Sequence, residues 1–500
     1  MRDELLTYYE RELAYLRQMG AEFAEKYPKI ASRLLLDPNR CEDPHVERIV
    51  ESFAYLAARI HLKLDDDFPE ITEALLSILY PHYLRPIPSV SVVEFQLDPE
   101  QGKLSTGLKI PRESMLYSRP VAGFQCKFRT CYDVTLWPVR MAEVQWVTPD
   151  RLRPAIKAPD AVAALRVQVD CLPDISFETL EMNSLRFYLN GEGNLVYSLY
   201  ELLFNNCTQV IIRDLTPNSK KSPISLSADR LRAVGFSEDE SLLPYPRRSF
   251  SAYRLLQEYF SFPEKFLFFD LMGLDQLSRA GFKDKIELIF LISPFEREDR
   301  QQMLELGLSP KVLRLGCSPI INLFPVAAEP ILLDQTSYEY PIIPDVRRRH
   351  SFEVFSIDSV VSPDPHSDQL TQFEPFYRFR HAATRREKKQ QAFWYANRRP
   401  SGRRDDEGTE VFLSLVDLTG RPAHPDVDTV TVRCTCSNRD LPFRLPFGGE
   451  GSDFEVEGIS SIKRIVTLRK PTATIRPPTG KGMQWRLISH LSLNLSLIHI

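Results

Sequence analysis

The stretch Leu6–Tyr27 reads LTYYERELAYLRQMGAEFAEKY. Its apolar residues fall at Leu6, Tyr9, Leu13, Leu16, Gly20, Phe23 and Tyr27, in steps that alternate three and four. That spacing is a heptad seam and predicts a helix with one narrow contact stripe. Arg11, Glu12, Arg17, Glu22, Glu25 and Lys26 lie between the seam positions and keep the other faces wet. Gly20 lets another backbone approach, at some cost in helix stability. Pro28 ends or bends the helix. The first reading of the seam is packing within the chain, against the helices that follow, and the sharper alternative is a bundle with helices of other chains.

Two more helices follow. Asp43 is a good N-cap and Pro44 fits the first helical position. Val46, Ile49, Phe53, Leu56, Ile60 and Leu64 then form an apolar stripe that stops at Asp65-Asp66-Asp67. One of these aspartates is expected to cap a third helix, which begins at Pro69 and carries Ile71, Leu75, Leu76, Ile78 and Leu79. Pro81, Pro86 and Pro88 end helix formation.

After Ser89 the period changes to two. Val90 and Val92, then Val93, Phe95 and Leu97, read as a strand with a bulge or a change of face. Phe124, Cys126 and Phe128 alternate with polar residues, as do Val144 and Trp146, then Leu165, Val167, Val169 and Cys171, then Leu185, Phe187 and Leu189 before Asn190-Gly191. These are signals of antiparallel strands. Leu195–Asn206 reads as a helix. So does Phe250–Phe266 in part, with Tyr253, Leu256 and Phe260 on one face, and it is expected to cover an open sheet edge or end. Lys265–Leu271 and Ile286–Ile292 read as strands. Prolines at 319, 325, 330, 341 and 344 suggest a boundary near Pro344. The fold class expected is α+β, in three parts. Residues 1–88 form a helical region and 89–344 a β-rich middle domain of sandwich or barrel type with a few covering helices. Residues 345–494 form a second β-rich domain.

Five hundred residues are enough for about three such domains. Lys and Arg number 63 against 67 Asp and Glu, so no overall field draws nucleic acid or membrane. The 38 prolines exceed the usual ~5% and favour loops and short strands. Cys41, Cys126, Cys131, Cys171, Cys207, Cys317, Cys434 and Cys436 make no CxxC pair, and the pattern fits a reducing compartment. Cys434 and Cys436 would share one strand face, with no second pair to complete a metal site. The N-terminus is charged from Arg2 and is no secretion signal. The longest apolar runs are too short to span a bilayer.

Catalytic spacing is missing. There is no Walker A loop, GxGxxG, GxSxG elbow or HExxH, and the nine histidines are dispersed. No catalytic residue, metal site, cofactor or small-molecule substrate is expected. One charged feature stands out. Residues 378–404 hold Arg378, Arg380, Arg385, Arg386, Lys388, Lys389, Arg398, Arg399, Arg403 and Arg404 against Glu387 alone, with Phe379, Phe393, Trp394 and Tyr395 interleaved. Such a run can grip phosphates and stack bases. With balanced total charge and no nucleic-acid-binding motif beside it, a solvated loop or a docking patch for an acidic protein is the expected role, not nucleic acid.

Several stretches resemble one family. Leu6-Thr-Tyr-Tyr-Glu-Arg-Glu-Leu-Ala-Tyr-Leu16, Asp43-Pro-His-Val-Glu-Arg48, Ala57-Ala-Arg-Ile-His-Leu-Lys-Leu-Asp65 and Tyr80-Pro-His-Tyr-Leu-Arg-Pro-Ile-Pro-Ser89 look like TssF, also called VasA or ImpG. Tyr253–Phe266, Asn322-Leu-Phe-Pro325 and Trp485–Asn494 continue the likeness in order. The resemblance implies a non-enzymatic wedge subunit of the cytoplasmic type VI secretion baseplate, docked at the inner membrane. It implies two copies on one TssG, contacts to TssK and TssE, six wedges around the hub and spike, and no insertion into the membrane. The N-terminal helices would then join a bundle with the second copy and TssG. A wedge protein of another contractile system, such as a phage tail, is the neighbouring alternative. The family continues past Asn494. Leu495-Ser-Leu-Ile-His-Ile500 is what CTG TCT CTT ATA CAC ATC encodes, the end of a transposase adapter used in sequencing libraries. Residues 495–500 are therefore expected to be adapter translation.

Overall fold

Helices form where the three-and-four spacing occurs: α1 is Asp3–Lys26, α2 Pro28–Ala31, α3 Pro44–Asp65 and α4 Pro69–Leu79. Five more lie downstream among the described residues: α5 Gly193–Asn205, α6 Ser251–Ser261, α7 Asp275–Arg279, α8 Glu298–Gly307 and α9 Met483–Leu497. The computed structural model describes residues 3–34, 43–65, 69–98, 106–217, 219, 221–246, 249–295, 298–334, 336–363, 370–377, 392–403, 406–417, 420–423, 429–449, 451–459, 461–478 and 483–497. Asp43 caps α3, its Oδ1 accepting the His45 amide at 2.8 Å. Asp66 and Asp67, expected near the start of α4, lie outside the described residues.

The chain divides into two compact units, Met1–Arg85 with Arg476–Ile500, and Pro86–Ile475. In the first, α1 and α3 pack together. They run antiparallel, since Arg17 meets Glu47 and Glu12 meets His61. The α4 helix packs on α9, where Thr72 Oγ1 donates to Gln484 Oε1 at 2.5 Å beside Leu76 and Leu491. The proline-locked turn holds a ring cluster: His82 is buried, 4.3 Å from Tyr83 and 6.1 Å from Tyr80 between ring centres.

The second unit is built on a closed barrel, with strands in the order Val90–Leu97, Cys317–Ile321, Phe124–Thr130, Met115–Val121, Phe454–Val456 and Ile462–Thr467. The expected bulge or change of face does not occur at Val92–Val93: pairing runs unbroken from Val90↔Ile321 to Glu94↔Cys317. The two apolar sets exist because both faces are buried. Val93 and Phe95 point into the barrel with Leu116, Phe128 and Ile465, while Val90 and Val92 join the neighbouring core. The register slips later, at Gln96/Leu97.

That neighbouring core lies between two sheets. One has five strands, Ile224–Ser227, Cys207–Asp214, Lys285–Ile292, Ala163–Cys171 and Val139–Val147 in order. The other has four, Leu231–Val234, Phe268–Met272, Ser184–Leu189 and Leu313–Leu315. Helix α5 seals it with Val196, Leu199, Leu202 and Leu203. Ile286–Ile292 is buried along its length, as its mostly apolar run suggests, and the one charge in it, Glu287, pairs with Arg166.

A second β module holds Phe324–Ala327, Thr429–Ser437, Glu353–Pro363 and Leu370–Phe373, together with Tyr340–Pro341, Thr409–Val416 and Phe393–Pro400. The expected boundary near Pro344 falls inside this module. Phe324 pairs with Cys436, Ile331 with Val430 and Tyr340 with Leu413, so residues before and after Pro344 share one core. Pro325 and Pro341 mark edge strands, where a missing N–H is harmless, and not a linker. The chain leaves the barrel at Ile321 and returns after Ser437, and Asn322 and Asn438 meet at that crossing. Residues 454–467 then complete the barrel begun at Val90.

Candidate assembly surfaces

The buried residues of α3 are small, Ala54 and Ala58, and Ala24 is the buried one of α1, which suits a close approach of two helices. Of the seam, Tyr9, Leu13, Leu16 and Gly20 are half-buried, whereas Leu6, Phe23 and Tyr27 are exposed. The large residues of the α3 stripe are left uncovered by the described residues. Ile49, Phe53, Leu56, Ile60 and Leu64 are 51–68% exposed, on the side of α3 opposite Ala54 and Ala58. Ile71, Leu75 and Leu79 of α4 are exposed too. The alanines at 54 and 58 were the available signal: a helix with large apolar residues on one side and alanines on the other has two contact faces.

Helix α6 is inverted. Arg254 and Glu258 are its buried residues, while Leu256, Tyr259 and Phe260 face solvent. It therefore does not cover a sheet edge with its apolar face, as the spacing had suggested. A buried polar clamp holds it this way round. Glu258 pairs with Lys265, and both side chains are wholly buried. Glu258 Oε1 accepts the amides of Leu242 and Leu243 at 2.9 and 3.2 Å, and Lys265 Nζ donates to the Glu240 carbonyl at 3.0 Å. Arg254 donates to the carbonyls of Phe236 and Ser237 at 3.2 Å. Burial pulls the Lys265 ammonium below its usual range, and the Glu258 carboxylate partly restores it. Lys265 reads in sequence as the start of a strand; the strand begins at Phe268 and Lys265 lies in a 3-10 turn. Gly235, at φ +104°, sits against this clamp, where a Cβ would stand 2.9 Å from both the Lys265 carbonyl and the Tyr132 hydroxyl.

Of the basic stretch, Arg398, Arg399 and Arg403 lie among the described residues; Arg378, Arg380, Arg385, Arg386, Lys388, Lys389 and Arg404 lie outside them. Arg398 donates to the Phe355 carbonyl at 2.9 Å and to Thr409 Oγ1 at 2.7 Å. Arg399 forms a two-pronged pair with Glu339 at 2.6 and 2.8 Å and lies over the Phe412 ring. Both therefore serve the module's own strands. Arg403 is exposed.

A polar cavity of about 900 Å³ is lined by residues of the barrel and of the sheets beside it, among them Glu94, Trp137, Arg186, Asp270 and Arg314. Several of its charges are paired: Arg186 with Asp270 at 2.8 Å and Glu240 at 3.3 Å, Arg314 with Glu94 at 3.4 Å. Cys434 and Cys436 do share a strand face, their sulfurs 3.5 Å apart in the module core. Among the described residues no group of three His, Cys, Asp or Glu could hold a metal, and no helix is long and apolar enough to cross a membrane.

Comparison with known proteins places these surfaces in context. A family model described as type VI secretion system, TssF, matches residues 1–499. The type VI secretion system component TssF1 of Pseudomonas aeruginosa is 38% identical over 509 residues, covering 99% of this chain and 80% of its own length. Among solved structures, a chain of the TssK-TssF-TssG baseplate subcomplex seen by cryo-electron microscopy superposes with a TM-score of 0.71 at 27% identity, over 89% of this chain and 77% of that one. A chain of the type VI secretion baseplate complex shares the fold, with a TM-score of 0.55 at 24% identity over 97% and 80% of the two chains.

Proposed function

The chain belongs to the type VI secretion TssF family and is a structural component of its baseplate, and from that premise we propose that its N-terminal helices join it to other chains of a baseplate wedge. The observation that carries this is the α3 stripe. Five large apolar side chains, Ile49 to Leu64, stand more than half exposed along one side of a 22-residue helix. An apolar strip of that length in water is an unfilled contact. The seam residues Leu6 and Phe23 on α1, and Tyr27 just after it, are exposed as well.

The occupants that fit are helices of a second copy and of a TssG-like subunit, in one bundle. The baseplate subcomplex with the same fold contains TssK and TssG, which supports a TssG-like and a TssK-like neighbour for this chain. A TssE-like protein and the hub complete the proposed surroundings, at a cytoplasmic baseplate docked on the inner membrane. The work of such a subunit is to hold interfaces and start sheath assembly, and none of it needs a catalytic residue.

Co-expression with the neighbouring TssG-like protein tests this, with mass read by light scattering. The expected result is a stable complex of two copies of this chain to one partner, lost on Phe53→Asp with Ile60→Asp. A chain that stays alone beside a folded partner, or a double variant that assembles as well as the parent, would overturn it.

A further inference from the structure

We propose that α6 is a separate contact at which a second copy of this chain packs α6 against α6 across a two-fold axis. No part of the N-terminal helices enters this inference, so it stands or falls apart from the wedge bundle. Ala252, Leu256 and Phe260 stand four residues apart and form one outward ridge along the helix. Tyr253 and Tyr259 flank it. About Leu256 the ridge is symmetric in spacing but not in size, with alanine at one end and phenylalanine at the other. Phe260 is 81% exposed, the most exposed aromatic side chain among the described residues. An axis through Leu256 sets two such ridges antiparallel. Phe260 of each copy then lies over Ala252 of the other, and Leu256 meets Leu256. That is the reciprocal pattern of a two-fold interface, a large knob over a small shelf twice.

Charge agrees with shape. The only charged residues of α6 are Arg254 and Glu258, and both are turned inward and bonded. The two α6 helices themselves therefore meet without placing like charges together. The patch is also continuous. Phe236 and Tyr259 both pack on Phe266, at 5.0 and 6.0 Å between ring centres, and Phe250 packs on Tyr253 at 5.7 Å. From their exposures and ordinary side-chain areas, Phe236, Phe250, Leu256, Tyr259 and Phe260 leave roughly 550 Å² uncovered. Two copies would bury about 1,100 Å², close to the lower limit for a specific interface, so the association is a weak one. The clamp beneath α6 holds the ridge rigid, which limits the ordering cost of docking.

Sedimentation equilibrium of the purified full chain across the micromolar range tests this. The expected result is a self-association step that Phe260→Asp weakens by about tenfold or more and that Phe53→Asp with Ile60→Asp leaves in place. Because Phe260 is exposed, its variant keeps the fold, to be checked by an unchanged melting temperature. Leu256→Cys, on the axis, should cross-link to itself under mild oxidation, while Leu306→Cys, at an 80% exposed position elsewhere, should not. A chain with no self-association over that range would overturn the inference. So would a dimer indifferent to Phe260→Asp, or a Leu256→Cys that cross-links no faster than Leu306→Cys.

Discussion

Asn322 and Asn438 bond each other in both directions: Asn322 Nδ2 donates to Asn438 Oδ1 at 2.9 Å, and the Asn438 amide donates to Asn322 Oδ1 at 2.6 Å. Asn438 Oδ1 also accepts the Lys127 amide at 2.9 Å, and Asn322 Nδ2 donates to the Lys127 carbonyl at 2.7 Å. Both side chains are fully buried. Asn322→Ala and Asn438→Ala should each cost about 2 kcal/mol, because each leaves buried partners unmet. The double variant should cost clearly less than the sum. Urea unfolding measures all three; strict additivity would mean the two residues act separately.

The Glu258–Lys265 pair has no solvent to fall back on. Lys265→Met strands a buried carboxylate and should cost about 3–5 kcal/mol. Lys265→Met with Glu258→Gln removes both charges but keeps an acceptor for Leu242 and Leu243, and should regain at least half of that loss. Thermal unfolding decides; a double variant less stable than the single would show that charge itself is needed there.

On α3 two substitutions five residues apart should behave oppositely. Ala58→Leu forces a large side chain into the α1 contact and should destabilise the chain by about 1–3 kcal/mol. Phe53→Asp, at a 61% exposed site, should change the stability of the free chain by no more than about 0.5 kcal/mol, while it removes partner binding. If Phe53→Asp unfolds the free chain, the stripe is internal core after all.

The Tyr253 hydroxyl is buried and has no hydrogen-bond partner among the described residues. Tyr253→Phe should therefore be neutral or slightly stabilising, by up to about 1 kcal/mol. A measured loss in chemical denaturation would reveal a partner for that oxygen.

Burial pushes four thiols up: Cys126 and Cys207 to about 11, Cys131 and Cys171 to about 12. At pH 8 almost none of each is thiolate, so in a Cys41→Ser background these four should stay unlabelled by a disulfide reagent until the chain unfolds. The folded values lie above the ordinary 9.0. Their stabilising contribution is therefore complete below about pH 9 and is lost as pH rises from there through about 12. The melting temperature should fall over that window; rapid labelling at pH 8 would contradict the burial.

Periodicity made α1, α3, α4 and the alternating strands legible, because three-four and two-residue spacing are local properties. What it could not tell was which side of an amphipathic helix faces home. On α3 and α6 the larger apolar side points outward, against the rule for an isolated domain. The clue lay in residues that carry no periodic signal of their own, Ala54 and Ala58 on one helix, Arg254 and Glu258 on the other. Barrel closure was hidden for a different reason. Residues 454–467 pair with Val90–Leu97 and Met115–Val121 across more than 300 positions, and no local signal carries such a pairing. The prolines near 344 misled because a short edge strand and a linker look alike in composition. Most of the basic stretch, from Arg378 to Lys389, lies outside the described residues; Arg398 and Arg399 have strand partners that only the fold reveals.

The second β module leaves the barrel and comes back at one place. Mechanically it hangs from a double hinge pin. A pull on the module loads both chain crossings side by side, and the reciprocal asparagine bonds take the strain in shear before any barrel strand can peel. In an optical trap the module should thus unravel from its own free edges first, with the barrel intact, and Asn322→Ala should lower the force at which tension reaches the barrel.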